Sequence, residues 1–318
     1  MKKILVTGGA GFLGYHISKR LKEQGHAVVI MDNLNDYYAV SLKNLRVNEL
    51  NKMGVSFIRA DITSSIALDT SFTMHKFDTV IHLAAQAGVR YSLINPQAYI
   101  HSNVLGTTEI LEASKRHGID HFMYASSSSV YGGNTAYPSS ESDVLATPLS
   151  LYAITKQTNE RQVELFTGQT GIPSTGLRFF TAYGPMGRPD MAYWTFTEKL
   201  LAGEPLPLYR GGLSRDFTYC DDVSEAVVRL LVTPRATHRV INIGNNRPAP
   251  VMRMINILED LTGCNANIDL REMPLTEPML TCCNNDLLFE TTGFRPETDL
   301  RTGLEEFVKW YTKQRQFT

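Results

Sequence analysis

Tyr152 and Lys156 lie four residues apart at the start of a predicted helix, a spacing that places both side chains on one face. A free tyrosine has a pKa of about 10 and is a poor base at neutral pH. An ammonium group beside it stabilises the phenolate and brings the hydroxyl into a working range. Such a pair could take the proton of a carbinol while its carbon is oxidised. The same spacing recurs at Tyr15 and Lys19, which we expect to face solvent or to pack.

The position of Tyr152 in the chain favours the first of these two pairs. It follows a predicted strand that ends in four serines, Ser126 to Ser129. Active sites of parallel sheets form at the carboxyl ends of strands, and four hydroxyls there are a concentrated set of hydrogen-bond donors. The alternative interpretation is a polar turn in which the serines only cap the backbone.

A glycine-rich turn, from Thr7 to Gly14, follows the first predicted strand and opens the first predicted helix. Backbone approaches a pyrophosphate closely only where side chains are absent, and a helix N-terminus offers N–H donors to the anion. The second strand ends in Asp32, a residue type that binds a ribose 2′-hydroxyl and repels a 2′-phosphate. This pattern predicts NAD rather than NADP, and a tight turn without a ligand is the alternative. Asp61 and Ile62, after the third strand, could reach the adenine or belong to a solvated loop.

Short apolar strands alternate with helices through the first half of the chain, which predicts an α/β fold with a Rossmann-type doubly wound parallel sheet. The predicted strands are Ile4–Thr7, Ala27–Met31, Val55–Arg59, Thr79–Leu83, Phe122–Ser126 and Ser174–Phe179. The predicted helices between them are Phe12–Gln24, Leu42–Met53, Pro96–His117 and Leu149–Phe166.

Glycines and prolines mark loops after Arg178, and the pattern becomes less regular. We expect residues 1–180 to form a dinucleotide-binding domain whose sheet is rejoined within 217–245, by a strand–helix pair in Phe217–Leu231 and a strand at Val240–Ile243. Residues 181–216 and 246–318 would form a smaller C-terminal α/β part that binds the substrate, with helices at Met252–Leu261 and Leu304–Lys313.

Composition excludes several classes of protein. The chain has 318 residues, 43% of them apolar, which is enough to bury a core. With 31 basic and 32 acidic residues it lacks the basic excess of a nucleic-acid binder. No apolar run approaches the roughly 18 residues of a membrane helix, and the first run ends at Thr7, too early for a signal peptide. The four cysteines and eight histidines show no metal-ligand spacing, so we expect no metal and a cytoplasmic protein.

These features together resemble the extended short-chain dehydrogenase/reductase family over nearly the whole chain. Within that family the chain is most similar to the NAD-dependent nucleotide-sugar epimerases that act on UDP-glucuronate. The resemblance rests on five stretches, of which the fourth discriminates best: His82–Ser92, Tyr124–Gly132, Leu177–Pro185, Gly187–Ala192 and Arg215–Tyr219.

The resemblance implies a role for each matching residue. Tyr152 would be the acid/base, Lys156 would stabilise its phenolate and bind the nicotinamide ribose, and Ser127 would bond the sugar oxygen. With Tyr152 and Lys156, the implied NAD contacts are Gly8, Gly11, Phe12, Leu13, Gly14, Asp32, Asn33, Asp61, Ile62, Leu83, Ala84, Ala85, Asn103 and Phe180. With Ser127, the implied UDP-sugar contacts are Val89, Arg90, Ser128, Ser129, Thr181, Arg188, Arg215 and Glu277.

Two of the implied substrate contacts have particular physical arguments. A guanidinium suits two phosphates, so Arg215 fits the UDP pyrophosphate unless it pairs with Asp216. Relatives usually carry Pro-Gly-Asp where this chain reads Pro274-Leu275-Thr276-Glu277-Pro278, so Glu277 would stand in for the aspartate that meets the uridine ribose.

The expected reaction is 4-epimerisation of UDP-glucuronate to UDP-galacturonate through a 4-keto intermediate, with tightly bound NAD that is recycled. The serine turn carries no carboxylate, which disfavours a dehydratase or a decarboxylase. Arg188, with Thr181, Ser128 and Ser129, could bind a sugar carboxylate, although it could instead pair with Asp190. Without that carboxylate site, the alternatives are a UDP-glucose/UDP-galactose 4-epimerase or another NAD-dependent nucleotide-sugar decarboxylase or dehydratase of the same family. An oxidoreductase that releases NADH and an NAD sensor are more distant alternatives.

Relatives pair the two long helices, Pro96–His117 and Leu149–Phe166, across a two-fold axis. We therefore expect a homodimer, with a UDP-sugar as the ligand and no nucleic-acid or membrane partner.

Overall fold

Thirteen strands are found in the part of the chain that the computed structural model describes, which comprises residues 1–134, 136–233, 235, 237–274 and 277–315. They are β1 (Lys3–Thr7), β2 (Ala27–Asp32), β3 (Ser56–Arg59), β4 (Thr79–His82), β5 (His121–Ser127), β6 (Ser174–Phe179), β7 (Thr181–Tyr183), β8 (Leu206–Tyr209), β9 (Ser214–Arg215), β10 (Phe217–Tyr219), β11 (His238–Ile243), β12 (Ala249–Pro250) and β13 (Ile268–Arg271).

Seven of these strands form one parallel sheet in the order β3-β2-β1-β4-β5-β6-β11. The chain order reverses between β1 and β4, and ligands of such sheets bind in the crevice at this switch point, beyond the carboxyl ends of the strands. The predicted doubly wound α/β sheet is therefore confirmed.

Helices cover both faces of the sheet. They are α1 (Phe12–Glu23), α2 (Val40–Lys52), α3 (Ser65–His75), α4 (Pro96–Tyr99), α5 (Gly106–His117), α6 (Leu151–Thr170), α7 (Ala192–Ala202), α8 (Cys220–Val232), α9 (Val251–Thr262), α10 (Asp286–Thr292) and α11 (Leu300–Arg315). Side chains of α1, α2 and α8 bury one sheet face, and those of α3, α5 and α6 bury the other. Burial on both faces explains why the strands are apolar throughout rather than alternating.

A second, smaller core lies beyond the sheet. Helices α7, α9 and α11 pack there with short strands, and aromatic side chains such as Tyr193 and Phe307 fill the centre, with ring centroids 4.7 Å apart. The strands of this part pair locally: β10 with β7, β12 with β9 and β13 with β8.

Three expectations differ from the structure. Helix α3 was not predicted, because its serines and threonines obscure the buried pair Leu68 and Phe72 that packs it against the sheet. The strand expected at Phe217 does not rejoin the main sheet; it pairs with β7, and only β11 extends the sheet. The predicted helix Pro96–His117 contains a wider π-helical turn at Ile100–Leu105.

Within the described ranges, no helix is both long enough and apolar enough to cross a lipid bilayer.

Candidate active site

A cavity of about 780 Å³ opens at the carboxyl edge of the sheet, beside the switch point between β1 and β4. One wall comes from the loops after β1, β2, β4 and β5, and the other from the smaller part of the protein. The cavity brings together all the predicted site residues except Asn103.

The glycine turn after β1 is packed so closely that a Cβ would clash at each of its glycines, as Gly8 and Gly14 illustrate. Gly8 has φ +68°, a conformation that favours glycine, and a Cβ there would lie 2.7 Å from the Ala84 nitrogen. A Cβ on Gly14 would lie 2.1 Å from the Gly8 oxygen. The first turn of α1, with Phe12, Leu13 and Gly14, consequently reaches the cavity with its backbone close to the surface.

Asp32 and Asp61 close the far end of the cavity. The Asp32 carboxylate accepts hydrogen bonds from the backbone nitrogens of Ala10 (3.2 Å) and Leu34 (2.9 Å), which fix it against the glycine turn. Burial raises the pKa of Asp32, and these hydrogen bonds oppose the rise. The Asn33 amide donates to Asp61 Oδ2 at 2.8 Å, so these two predicted contacts form one polar surface.

Tyr152 and Lys156 face the cavity from the first turns of α6, which Ser150 caps by accepting from the Ala153 nitrogen at 3.1 Å. The Lys156 ammonium donates to the Ala125 carbonyl at 2.9 Å and lies 5.9 Å from the centroid of the Tyr152 ring. The distance and the shared cavity confirm that the pair occupies one face of the helix.

Burial controls the pKa of both groups. It lowers the pKa of Lys156 to about 8, against the charge of Glu160. It also raises the pKa of Tyr152, which a hydrogen bond with Ser127 and the positive charge of Arg188 partly oppose. The net direction for Tyr152 in the protein alone is opposite to the one predicted from the spacing, because desolvation of the phenolate outweighs these favourable contacts.

The four serines of the turn make two different kinds of contact. Ser127 Oγ accepts hydrogen bonds from Ser129 N (3.2 Å) and Ser129 Oγ (2.9 Å), and both residues line the cavity with Ser128. Ser126 differs because its hydroxyl donates to Glu160 at 2.6 Å, inside the protein. Three serines of the turn therefore line the cavity with free room beside them, whereas the hydroxyl of Ser126 fixes the strand to α6.

Thr181, the first residue of β7, and Arg188, on the segment after β7, both line the cavity. Arg188 Nη2 pairs with Asp190 Oδ2 at 3.2 Å. The ion pair with Asp190, which the sequence allowed as an alternative to carboxylate binding, is therefore present in the structure. Both residues of the pair also line the cavity.

Arg215 pairs with Glu277 and not with Asp216. Arg215 Nη2 lies 2.8 Å from Glu277 Oε2, and Arg90 Nη2 lies 3.0 Å from Glu277 Oε1. Asp216 is buried and accepts from the backbone nitrogens of Asn245, Asn246 and Cys283 at 2.8–3.0 Å, which anchors the strand that carries Arg215. Glu277 therefore bridges two arginines at the cavity wall; Leu275 and Thr276, which precede it, lie outside the described residues.

Asn103 is the one predicted contact that the structure places behind the cavity wall. Its side chain is 1% exposed and bonds both backbone groups of Gln86, at 2.7 and 3.1 Å. It supports the loop after β4 rather than the cavity surface.

The sequence pattern missed a basic and aromatic group on the loop after β2 and on α2. Tyr37, Tyr38 and Lys43 line the cavity, and Arg46 is fully buried beside it. The available signal was the spacing of Lys43, Arg46, Val47 and Leu50, which places two basic residues on the buried face of a helix.

Among the described residues, one group of side chains of the types that bind metal ions comes together away from the cavity. His16, Cys220 and Asp221 place a nitrogen, a sulfur and an oxygen within 4.8 Å of one another. The His16 ring also bonds the Pro185 carbonyl at 2.9 Å. Since His16 is far in sequence from the adjacent Cys220 and Asp221, spacing alone did not indicate this group.

A model of the NAD dependent epimerase/dehydratase family matches residues 4–244. The chain belongs to this family. Protein CapI of Staphylococcus aureus is 42% identical over 97% of this chain and 98% of its own length. UDP-glucuronate 4-epimerase 4 of Arabidopsis thaliana is 42% identical over 97% of this chain and 75% of its own length.

A crystal structure shows the same likeness in three dimensions. The UDP-glucuronic acid 4-epimerase of Bacillus cereus, in complex with UDP-glucuronic acid and NAD, has a TM-score of 0.92 and 34% identity, covering 98% of this chain and 99% of that one.

The cavity fits the NAD of the epimerase/dehydratase family on its own geometry. The cradle that a Cβ on Gly8 or Gly14 would fill suits a pyrophosphate, and the fixed carboxylate of Asp32 suits a ribose hydroxyl. Tyr152 and Lys156, on α6, line the same cavity beside the carboxyl end of β5, where the nicotinamide end of a dinucleotide would extend.

Proposed function

We propose that this protein converts UDP-glucuronate to UDP-galacturonate by inverting the fourth carbon of the sugar, with NAD as a recycled cofactor. The observation that carries the proposal is that Arg188, Thr181 and the serine turn share one cavity with Tyr152 and Lys156. The full-length likeness to UDP-glucuronate 4-epimerases supports the same substrate.

Proton transfer is the task of Tyr152. As a phenolate it takes the proton of the 4-hydroxyl, while Ser127 orients that oxygen and Lys156 holds a positive charge beside the ring. NAD, when bound, accepts hydride from the fourth carbon and later returns it. Tyr152 then gives the proton back to the oxygen on the opposite face of the sugar.

Binding of the nucleotide falls to the arginines beyond the sugar. Arg215 and Arg90 would hold the pyrophosphate of UDP, with Val89 beside them, and Glu277 would reach the uridine ribose. Because the sugar is held through the pyrophosphate, it can turn about that linkage and present either face to Tyr152.

A uronate carries a chemical hazard that this site can reduce. Its 4-keto form is a β-keto acid, which loses carbon dioxide most readily when the breaking bond aligns with the carbonyl π system. A carboxylate gripped by Arg188, Thr181, Ser128 and Ser129 would be held out of that alignment.

The roles of the two parts of the chain follow from these contacts. We propose that residues 1–180, with 217–245, form the NAD-binding domain, and that residues 181–216 and 246–318 form the nucleotide-sugar-binding part. The family match over residues 4–244 and the large sheet support the first assignment.

We also propose a homodimer formed through α4–α5 and α6. Ile100, Leu105, Ile154 and Leu165 leave between 42% and 62% of their side chains exposed on these neighbouring helices. Apolar side chains exposed together favour a partner surface, and a two-fold axis would pair the helices with their copies. Light scattering at micromolar concentration should give twice the mass of the chain; a monomer would contradict the proposal.

A cytoplasmic location is proposed from the cysteines. All four are free thiols, and Cys220, Cys282 and Cys283 are buried, as expected for a protein kept in a reducing compartment. Fractionation of cells that produce the protein tests this directly.

The substrate is tested by mixing the purified protein with UDP-glucuronate, without added NAD, and following the sugar by proton NMR. Formation of UDP-galacturonate is expected. If UDP-glucuronate stays unchanged even with NAD while UDP-glucose is converted to UDP-galactose, the assignment of the uronate is wrong.

A further inference from the structure

Asp190 lies between Arg188 and Tyr37 on the wall of the cavity. Its Oδ2 is 3.2 Å from Arg188 Nη2 and accepts a hydrogen bond from the Tyr37 hydroxyl at 3.2 Å. Arg188 and Asp190 belong to the segment after β7, whereas Tyr37 belongs to the loop after β2, 153 residues away. One carboxylate oxygen therefore joins the arginine to the opposite wall.

The pair with Asp190 occupies only one edge of the Arg188 guanidinium. Nη2 contacts Asp190 and the Met191 sulfur (3.4 Å), and among the described residues Nε and Nη1 have no hydrogen-bond partner. A guanidinium presents its donors in a rigid plane, so fixing one corner fixes the direction of the others. The remaining donors are suited to a second carboxylate.

The hydrogen bond between Tyr37 and Asp190 needs space beside the loop after β4. A Cβ on Gly88 would lie 2.7 Å from the Tyr37 hydroxyl and 3.6 Å from Asp190 Oδ2. Tyr37 is held in turn by the Tyr91 ring, at a centroid distance of 4.7 Å. The hydroxyl of Tyr37 is thus positioned by packing before any ligand arrives.

We propose that Asp190 and Tyr37 are positioning residues that aim Arg188 at the sugar carboxylate and so determine the preference for a uronate over a neutral hexose. The inference rests on the proposed function. Asp190 acts through Arg188, because a substrate carboxylate and the Asp190 carboxylate can bind different edges of one guanidinium.

The test compares Asp190→Ala with Asp190→Asn, in the full-length holoenzyme, on UDP-glucuronate and on UDP-glucose. The alanine variant removes the acceptor and should raise KM for UDP-glucuronate about tenfold or more, while the KM for UDP-glucose stays within about twofold. It should also increase the share of decarboxylated pentose product. The asparagine variant keeps an acceptor oxygen for Arg188 and Tyr37 and should recover most of the wild-type KM.

Tyr37→Phe provides an independent variant, since it leaves both charges in place. It should shift KM for UDP-glucuronate in the same direction by a smaller factor, with thermal unfolding unchanged. Arg188→Ala removes the guanidinium itself, so its KM for UDP-glucuronate gives the largest effect expected from this group.

Two results overturn the inference while leaving the proposed function intact. One is an unchanged KM and product ratio in Asp190→Ala; the other is a lower KM, which would mean that Asp190 competes with the substrate for Arg188. A wild-type protein that does not act on UDP-glucuronate would overturn the proposed function, and the inference with it.

Discussion

At the scale of single residues, side-chain chemistry and spacing predicted the proposed catalytic pair but not the directions in which its pKa values shift. Tyr152 and Lys156 were predicted from a spacing of four and are found in one cavity. The pKa directions depend on burial, which the spacing does not contain. Asn103 was predicted to contact NAD but lies behind the cavity wall, where it bonds Gln86. Contacts with residues distant in sequence decide such a placement, and the sequence pattern does not show them.

Replacing Tyr152 with phenylalanine removes the hydroxyl that we propose transfers the proton, and little else. We expect the turnover rate with UDP-glucuronate to fall by about 10²–10⁴-fold, while the affinity for the substrate is largely kept. Proton NMR gives the rate and calorimetry gives the affinity. Tyr15→Phe is the matched control, since Tyr15 has the same spacing to Lys19 but is a buried residue of α1 that packs in the core. Equal losses in both variants would contradict the role of Tyr152.

At the scale of elements, the alternation of strands and helices predicted the sheet because each parallel strand is apolar on both faces. It did not predict α3, because the many polar residues of this helix make its one buried face hard to recognise. It also did not predict that β10 lies outside the main sheet. Strand β10 pairs instead with β7, a strand of three residues that is too short to be recognised from a hydrophobic pattern.

One buried side chain connects three elements around the site. Arg46, on α2, donates to the carbonyls of Ala10 (2.8 Å), Met186 (3.0 Å) and Gly187 (2.6 Å). It therefore ties the glycine turn to the segment that leads into Arg188. The sequence could not show this, because these three carbonyls lie 36 to 141 residues away from Arg46.

Arg46→Met should lower the free energy of unfolding by about 1–3 kcal/mol, because buried carbonyl groups lose their donors. Urea unfolding measures the change. Arg59→Met, on an exposed position of β3, is the matched control and should leave stability nearly unchanged. The same loss in both variants, or none in Arg46→Met, would show that these hydrogen bonds do not hold the elements together.

At the scale of the whole molecule, contacts between distant segments complete the cavity. The bridge from Arg90 to Glu277 spans 187 residues and that from Tyr37 to Asp190 spans 153. Neither is visible in local patterns. The resemblance to a family nevertheless placed Arg90 and Glu277 in the same site, since related chains share the arrangement that brings such residues together.

Two buried histidines in the sheet make the free energy of unfolding depend on pH. Burial lowers the pKa of His82 and of His121 from 6.5 to about 3, so both rings are neutral in the folded protein. Between pH 6.5 and 3 the unfolded chain binds protons at these sites and the folded chain does not, so stability falls as the pH falls.

The contribution of His121 can be isolated with His121→Gln, which cannot titrate. The free energy of unfolding of the wild type should fall more steeply than that of the variant, by about 1.4 kcal/mol per pH unit below pH 6.5. Urea unfolding at pH 7, 6 and 5 provides the two profiles. Parallel profiles would mean that His121 keeps an ordinary pKa in the folded protein.

The central claim is that the fourth carbon of the sugar is oxidised and then reduced by the same hydride. It is tested most directly with UDP-glucuronate that carries deuterium at the fourth carbon, in ordinary water. We expect UDP-galacturonate that retains the deuterium at that carbon, with no net formation of reduced cofactor. Loss of the label to solvent, or product formed only in proportion to added NAD, would contradict the account.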